Sequence, residues 1–359
     1  MSDPNRRAWL DLDAIKHNLN LIKDHFAPDK KVIAYVKAQG YGHGVSEQFV
    51  QALSAVDAFA VACLDEASKL RQLTDKIILF NSAYLSVHTF AAAKKIDVDV
   101  VVHDCFPEYE AVLSKLPRLW LKVNTGMNRM GVSIEQAHHI LQSFPEKEVI
   151  LMTHLADSKS FSAGNEKQLE RLKSMAEAYP NVQLSFANSA RILGDQDFLG
   201  DWVRPGLLLY GAMPYRISQS DHVYFRPALT FKARVIAHQR IAAGESIGYD
   251  RHYIAKEAID IAILSAGYAD GYPRVHPRQT PVLYQNTTYF IVGRVSMDTL
   301  QIAANKTAPP PVGAWVTLWG EGLPIEEVAA ACDTSPYELM VNLSLRVDRV
   351  LSCHQEEIE

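Results

Sequence analysis

Short apolar runs alternate with segments of helical periodicity from the N-terminus to about residue 226. Several runs are apolar at nearly every position, which is typical of parallel strands that are buried on both faces. The runs that predict strands are Lys31–Lys37, Ala58–Cys63, Lys76–Asn81, Asp97–His103, Arg118–Asn124, Val149–His154, Gln183–Asn188 and Trp202–Tyr210. The segments that predict helices by their apolar spacing are Val45–Leu53, Asp65–Leu73, Val87–Lys95, Pro107–Leu116, Ile134–Phe144 and Asn165–Ala178.

Eight strands that alternate with helices predict an α/β fold, a (β/α)8 barrel of the TIM type. A doubly wound open sheet is the alternative. It would favour a GxGxxG turn after the first strand, and the segment Lys37–Gly44 lacks that pattern.

After Arg226 and Pro227 the pattern changes to strand-like runs that are separated by turn signals. The elements predicted there are the strands Phe231–Ile241, Ile259–Ala266, Pro281–Leu283, Tyr289–Val292 and Trp315–Trp319 and the helices Ile325–Cys332 and Tyr337–Leu343. We therefore expect a barrel domain over residues 1–226 and a mainly β domain over residues 227–359. The residues up to about residue 10 are expected to pair with the β domain.

Composition and charge narrow the functional classes. Of the 359 residues, 48% are hydrophobic and 21% are charged, as in an average globular protein. The net charge of -5 argues against a nucleic-acid surface, and no apolar leader or membrane-length run is present, so we expect a cytoplasmic protein. No CxxC pair occurs, so we expect no metal site and free thiols in a reducing compartment. The four cysteines are Cys63, Cys105, Cys332 and Cys353.

Polar residues follow several of the predicted barrel strands, where the active residues of such barrels sit. Buried polar groups need partners, so a ligand or a hydrogen-bond network is expected there. Lys37 ends the first strand and precedes a glycine-rich turn. A buried lysine with a lowered pKa can form a Schiff base, although a lone lysine before such a loop is more often a solvated surface residue.

The whole segment Val36–Gly44 (VKAQGYGHG) resembles the cofactor-lysine motif of alanine racemases, and the resemblance extends over nearly the whole chain. It implies a pyridoxal 5'-phosphate-dependent isomerase that interconverts L-alanine and D-alanine. By this resemblance Lys37 holds the cofactor and Tyr41 binds its phosphate. The family usually has Asn-Ala where this chain has Gln39 and Gly40.

The segment Leu121–Gly131 (LKVNTGMNRMG) resembles a second motif of the family. The resemblance implies that Arg129 contacts the phenolic oxygen of the cofactor and the substrate carboxylate, which suits a guanidinium because it forks onto oxygen anions. It also makes Lys122 a candidate for carbamylation. A carbamate would convert this lysine from a cation into an anion that attracts Arg129.

Further cofactor contacts follow from the same resemblance. His154 would stack beside the pyridine ring and bond to Arg204, although a histidine at a strand end is more often a packed structural residue. Arg204 would face the pyridine nitrogen and leave it largely unprotonated, because arginine keeps its own proton. The expected contacts around the phosphate, where backbone amides at a helix start suit an anion, are Asn188, Ser189, Gly206 and Leu207.

The β domain carries three more segments that resemble family motifs. They are Ser246–Asp250, Ser265–Arg274 and Gly293–Asp298. Racemisation removes a proton from one face of the α-carbon and delivers one to the other face, so two bases are expected. The resemblance implies that Lys37 and Tyr249 are this pair and that Tyr249 reaches in from the second subunit of a homodimer. Tyr268 and Met297 would contact the substrate.

Alternative functions remain open at this point. A racemase of serine or of another amino acid is the nearest, followed by a non-catalytic pyridoxal-phosphate carrier and a decarboxylase. A carrier usually lacks the β domain, and a decarboxylase would be expected to have an acidic residue in place of Arg204. The family often ends in Ser-x-Arg-Val-Pro-Arg with an aromatic residue at x, whereas Ser344–Arg349 reads SLRVDR, so Leu345 replaces one expected phosphate contact.

Overall fold

Nine strands precede residue 210, and eight of them form one parallel sheet in the computed structural model, which describes residues 5–106, 108–157, 162–179, 181–194, 198–214, 224–275, 278–304 and 307–352. In chain order these strands are β1 (Arg6–Leu10), β2 (Lys31–Tyr35), β3 (Ala58–Val61), β4 (Ile77–Phe80), β5 (Asp99–Val102), β6 (Arg118–Lys122), β7 (Glu148–Met152), β8 (Gln183–Ser185) and β9 (Trp202–Val203). The strand order is β8-β7-β6-β5-β4-β3-β2-β9. A parallel bridge between Asn188 and Arg204 joins its two ends, so the sheet closes and the predicted TIM-type barrel is confirmed.

Side chains from alternate strand positions fill the interior of this barrel. Trp120 and Trp202 meet edge to face there with ring centroids 5.1 Å apart, and Ile33, Leu79 and Ile150 pack around them. These side chains make the barrel a packed core rather than a pore. Polar groups at the strand ends therefore lie between the packed barrel interior on one side and the loops on the other.

Helices follow most of the barrel strands. They are α1 (Leu12–Leu21), α2 (Glu47–Ala52), α3 (Leu64–Arg71), α4 (Val87–Lys95), α5 (Tyr109–Leu113), α6 (Ile134–Ser143), α7 (Ala163–Ala178) and α8 (Ser189–Gly194). Serine caps begin several of them: the hydroxyls of Ser46, Ser86, Ser133 and Ser162 each accept a hydrogen bond from an amide of the first turn. The predicted helix that begins at Pro107 starts outside the described residues, and α1 was not predicted.

One predicted strand is wrong over its second half. The strand expected at Trp202–Tyr210 ends at Val203, and Leu207–Tyr210 forms a 3-10 turn. Pro205 has no amide hydrogen to donate to a neighbouring strand, so the chain turns there. The apolar run of leucines alone does not distinguish a strand from a buried helical turn.

The second half of the chain forms a mostly antiparallel sheet. Its strands are β10 (Leu229–Ile241), β11 (Ser246–Ile247), β12 (Tyr253–Ile254), β13 (Ile259–Leu264), β14 (Pro281–Tyr284), β15 (Thr287–Val292), β16 (Leu300–Ala304), β17 (Trp315–Trp319) and β18 (Asp348–Leu351), with α9 (Ile325–Ala331) and α10 (Pro336–Val341). The order β13-β16-β15-β14-β17-β10-β1-β18 includes a further pairing of β10 with β13, which closes the central strands, while β11 pairs with β12.

The N-terminal strand belongs to this second sheet. β1 pairs antiparallel with β10 and parallel with β18. Arg6 donates a hydrogen bond to the fully buried carboxylate of Asp270 at 3.1 Å. The strand is thereby fixed to the β domain before the chain enters the barrel.

Membrane and thiol features complete the description of the fold. Within the described residues, every helix is too short or too polar to span a bilayer. Cys63, Cys105 and Cys332 are free thiols, and Cys353 lies outside the described residues.

Candidate active site

A cavity of about 600 Å³ opens at the carboxyl ends of the barrel strands. The residues of the sequence analysis that line it are Lys37, Tyr41, Lys122, Arg129, His154, Asn188, Ser189, Arg204 and Gly206. Other lining residues had not been singled out, namely Tyr35, Cys63, Glu66, Asn81, Thr153 and Tyr337. Asn81 directly follows β4, so the pattern of polar residues after strands could have identified it.

An unusual turn follows Lys37. Residues Ala38–Tyr41 have left-handed φ angles of 52°, 57°, 63° and 55°. This conformation costs roughly 1–2 kcal/mol for each residue that has a side chain, so contacts from outside the turn must hold it. The amide of Ala38 donates to Glu66 at 2.6 Å, and Nδ1 of His43 lies 3.0 Å from the Tyr41 carbonyl, which fixes the proton on that nitrogen.

Burial and neighbouring cations lower the pKa values of the two lysines of the cavity. Burial, followed by Arg129, lowers the pKa of Lys37, whereas Glu66 opposes the change. Burial together with Arg204, Arg129 and Lys37 lowers the pKa of Lys122 to about 8. Each of the two lysines therefore releases its proton more readily than a lysine in water, as a base or a nucleophile requires.

His154 is neutral in this setting. Burial and then the charge of Arg204 lower its pKa to about 3. Its backbone carbonyl accepts a hydrogen bond from Gln168 at 2.9 Å, which fixes the loop after β7. A neutral imidazole can lie flat against an aromatic ring without adding another charge to a crowded basic cavity.

Arg204 is buried and is held by backbone carbonyls. Its Nη2 donates to Thr153 at 2.6 Å and to Phe186 at 3.4 Å, and its Nη1 donates to the carbonyl of Ser185 and, at 3.0 Å, to the hydroxyl of that residue. The bond expected from His154 to Arg204 is not among the contacts of the described residues, because the guanidinium is directed toward the ends of β7 and β8. These contacts fix one cationic edge of the cavity.

Ser189, Gly206 and Tyr41 form a small polar wall of the cavity. The Ser189 hydroxyl accepts from the amides of Gly206 at 3.1 Å and of Leu208 at 3.4 Å. Gly206 lies directly against Tyr41, so that a Cβ atom at this glycine would be 2.9 Å from the phenolic oxygen. Leu207 is buried behind the wall and is not among the described lining residues.

The loop that carries Arg129 is shaped by a side chain near its start. Oδ1 of Asn124 accepts from the amides of Gly126 at 3.1 Å and Asn128 at 3.0 Å. Behind the loop, the hydroxyls of Thr125 and Thr153 lie 2.8 Å apart. This packing ties the Arg129 loop to the end of β7.

The predicted residues of the β domain do not line this cavity. Tyr249, Met297 and Tyr268 have exposed fractions of 64%, 52% and 39%. Tyr249 begins a short turn in which Asp250 forms an ion pair with Arg294 at 2.9 Å. These three side chains form an exposed surface on the β domain, which we call the Tyr249 surface.

Comparisons with known proteins agree with this architecture. A sequence profile of the alanine racemase N-terminal domain matches residues 10–214, and one of the C-terminal domain matches residues 228–351. The biosynthetic alanine racemase of Pseudomonas aeruginosa is 37% identical over 354 residues, which cover 95% of this chain and 98% of that protein.

Solved structures give the same result. The alanine racemase of Acinetobacter baumannii superposes with a TM-score of 0.90 at 33% identity, over 98% of this chain and 100% of that chain. That of Bartonella henselae, solved with covalently bound pyridoxal phosphate, superposes with a TM-score of 0.87 at 26% identity, over 98% of this chain and 100% of that chain.

Proposed function

The chain belongs to the alanine racemase family, and we propose that Lys37 and Tyr249 are the two residues that move protons at the α-carbon. The enzyme interconverts L-alanine and D-alanine with pyridoxal 5'-phosphate as its cofactor. The observation that carries the assignment of roles is the cavity at the top of the barrel, where a lysine with a lowered pKa lies among fixed cations.

The cavity suits a cofactor that carries a phosphate. Among the described lining residues Glu66 is the single carboxylate, and its oxygens are already bound by the amides of Ala38 and Ala62. The cationic side chains Lys37, Lys122, Arg129 and Arg204 outnumber this one carboxylate, so the cavity favours an anionic ligand. When it is bound, the cofactor withdraws electrons from the α-carbon of the substrate and so makes its hydrogen acidic.

We assign the ends of the cavity as follows. Tyr41, Ser189 and Gly206 would hold the phosphate, with Asn188 and the Leu207 amide beside them. Arg204 and His154 would hold the ring, the first by its fixed charge and the second by its neutral face. Arg129 would hold the substrate carboxylate, and Lys122 is the residue that we expect to be carbamylated, because a neutral amine is the form that reacts with carbon dioxide.

The two proton-transferring groups would act on opposite faces of the α-carbon. Nζ of Lys37 accepts the proton from one enantiomer while the phenolic oxygen of Tyr249 of the partner subunit supplies a proton on the other face. In the reverse direction the two groups exchange these roles. Lys37 can act as a base because burial and Arg129 lower its pKa.

We further propose that the protein works as a homodimer. The Tyr249 surface is exposed and partly apolar in the single chain, as expected of a surface that another subunit covers. The barrel domain would then provide the cofactor cavity, and the β domain would supply Tyr249, Tyr268 and Met297 to the partner's cavity. From the sequence we also expect the protein to be cytoplasmic.

Racemisation in heavy water tests these roles. We expect Tyr249→Phe to slow the reaction of alanine by about 100-fold or more while the cofactor stays attached, because one proton-transfer group is lost. Tyr253→Phe, a nearby substitution on β12, serves as the matched control. The assignment fails if the Tyr249→Phe protein racemises alanine as fast as the Tyr253→Phe control. It also fails if borohydride trapping places the cofactor on a lysine other than Lys37. Serine as a second substrate tests the nearest alternative function.

A further inference from the structure

The left-handed turn after Lys37 is anchored at its two ends by different domains. At its start, Ala38 donates to Glu66, which lies on α3 of the barrel. At its end, the carbonyl of Gly42 accepts a hydrogen bond from Nε of Arg349 at 3.0 Å. Arg349 lies on β18, a strand of the β-domain sheet.

The guanidinium of Arg349 is fixed by three other carbonyls. Its Nη1 donates to Ser344 at 2.6 Å and Val347 at 2.7 Å, and its Nη2 donates to Leu343 at 2.6 Å. These acceptors belong to the segment between α10 and β18. The planar fork thus connects this segment to the turn with a geometry that a lysine ammonium does not reproduce.

The turn is also packed tightly against α10. A Cβ atom on Gly42 would lie only 2.0 Å from the carbonyl oxygen of Met340. One turn of helix earlier, Tyr337 lies with its ring centroid 5.8 Å from that of Tyr41. A change in the position of α10 must therefore be transmitted to Tyr41 and to the residues before it.

From these contacts we propose that Arg349 is a positioning residue for Lys37, which it serves by holding the left-handed turn through the Gly42 carbonyl. The proposal rests on the function assigned to Lys37 above. According to this proposal, each β domain has two roles. It positions the cofactor lysine of its own chain through Arg349, and it supplies Tyr249 to the partner's cavity.

Release of pyridoxal phosphate from the holoenzyme tests the proposal without reference to activity. Arg71 is a matched control, since it also donates to three backbone carbonyls, those of Thr74, Lys76 and Asp97, but at the amino ends of β4 and β5. We expect Arg349→Met to raise the cofactor dissociation constant about tenfold or more, because the left-handed turn after Lys37 loses its hydrogen bond to the β domain. Arg349→Lys should give an intermediate value, and Arg71→Met a value near that of the wild type.

Melting temperatures of the cofactor-free proteins separate positioning from stability. If Arg349→Met and Arg71→Met lower the melting temperature alike but only the first weakens cofactor binding, the positioning role is supported. If the two substitutions change the dissociation constant equally, Arg349 is a structural residue only and the proposal is overturned.

Hybrid dimers provide a second test. When one chain carries Tyr249→Phe and the other Lys37→Ala, one complete site remains, formed by Lys37 of the first chain and Tyr249 of the second. Adding Arg349→Met to the chain that keeps Lys37 should weaken cofactor binding at that site, whereas adding it to the other chain should not. Equal weakening from either chain overturns the proposal. A hybrid without any activity contradicts the shared site itself, and the homodimer release measurement still decides the role of Arg349.

Discussion

Replacing Lys122 with methionine is expected to stabilise the cofactor-free protein at neutral pH in buffer without carbon dioxide. The lysine is only 8% exposed, and burial together with Arg204, Arg129 and Lys37 lowers its pKa from 10.5 to about 8. At pH 7 most of the amines are still protonated, so a charge is held among other cations. Methionine keeps most of the apolar stem and removes that charge.

The lowered pKa sets the size of the effect. A decrease from 10.5 to about 8 corresponds to roughly 3 kcal/mol of unfavourable free energy for the protonated lysine in the folded state. Below pH 8 the amine is protonated in both the folded and the unfolded chain, so the protonated lysine destabilises the folded state by the full amount. Between about pH 8 and 10.5 only the unfolded chain keeps the proton, and stability rises with pH until the cost is gone.

Urea unfolding of the cofactor-free proteins at about pH 7 and about pH 9.5 measures this difference. We expect Lys122→Met to raise the free energy of unfolding by up to about 3 kcal/mol at pH 7 and by much less at the higher pH. Lys95→Met removes an exposed lysine on α4 and should have little effect at either pH. A Lys122→Met protein that is less stable than the wild type at pH 7 would refute the reasoning.

In the presence of carbon dioxide, we expect the wild type to be more stable than Lys122→Met. When the neutral Nζ of Lys122 bonds to the carbon of carbon dioxide and loses a proton to solvent, the product is a carbamate anion. The neighbouring cations then attract the group instead of repelling it, so the wild type gains stability that Lys122→Met cannot gain. If saturating the buffer with carbon dioxide stabilises the two proteins equally, Lys122 is not the residue that reacts.

Three further substitutions have separate expected outcomes. Gly206→Ala should weaken pyridoxal-phosphate binding about tenfold in an equilibrium titration, with little change in melting temperature, because the added Cβ displaces the hydroxyl of Tyr41. Gly40→Ala should lower the free energy of unfolding in urea by about 1–2 kcal/mol, since φ is 63° and the Cβ would lie 3.0 Å from Phe49. Asp270→Asn should lower the free energy of unfolding by about 3–5 kcal/mol, because it removes the charge of a fully buried carboxylate that pairs with Arg6 at 3.1 Å. If any of the three proteins gives the wild-type value in its measurement, the contact proposed for that residue is contradicted.

The barrel could be predicted from the sequence because its strands are buried on both faces and read as apolar runs. The predicted helix Val87–Lys95 and the predicted strand Trp315–Trp319 have the observed bounds. Helix α1 and strand β16 carry apolar residues at regular spacing and were overlooked, whereas other missed elements lack such a signal. Strands β11 and β12 have two residues each, and β18 is a partly exposed strand whose place depends on pairing with β1 at the other end of the chain.

The site residues also divide into those that the sequence could identify and those that it could not. Lys122 ends β6, and Lys37 and His154 follow β2 and β7 by two residues, so their position made them candidates, whereas the resemblance to family motifs gave their roles. Tyr337 lines the cavity from α10, 300 residues after Lys37 in the sequence, and no local pattern could place it there. Hydrogen bonds such as that from Arg349 to Gly42 depend on how the two domains meet, and the sequence pattern contains no information on that geometry.

The cation cluster connects stability with ligand affinity. Lys37, Lys122, Arg129 and Arg204 are held close enough to lower the pKa values of the lysines, and the oxygens of Glu66 are used by backbone amides. In cofactor-free protein without carbon dioxide these cations therefore repel one another, and an anionic ligand relieves that repulsion on binding. A ligand with a phosphate at one end and a carboxylate at the other would relieve the repulsion from both sides. On this account, a substitution that stabilises the cofactor-free protein by removing one of these charges must weaken the binding of that ligand.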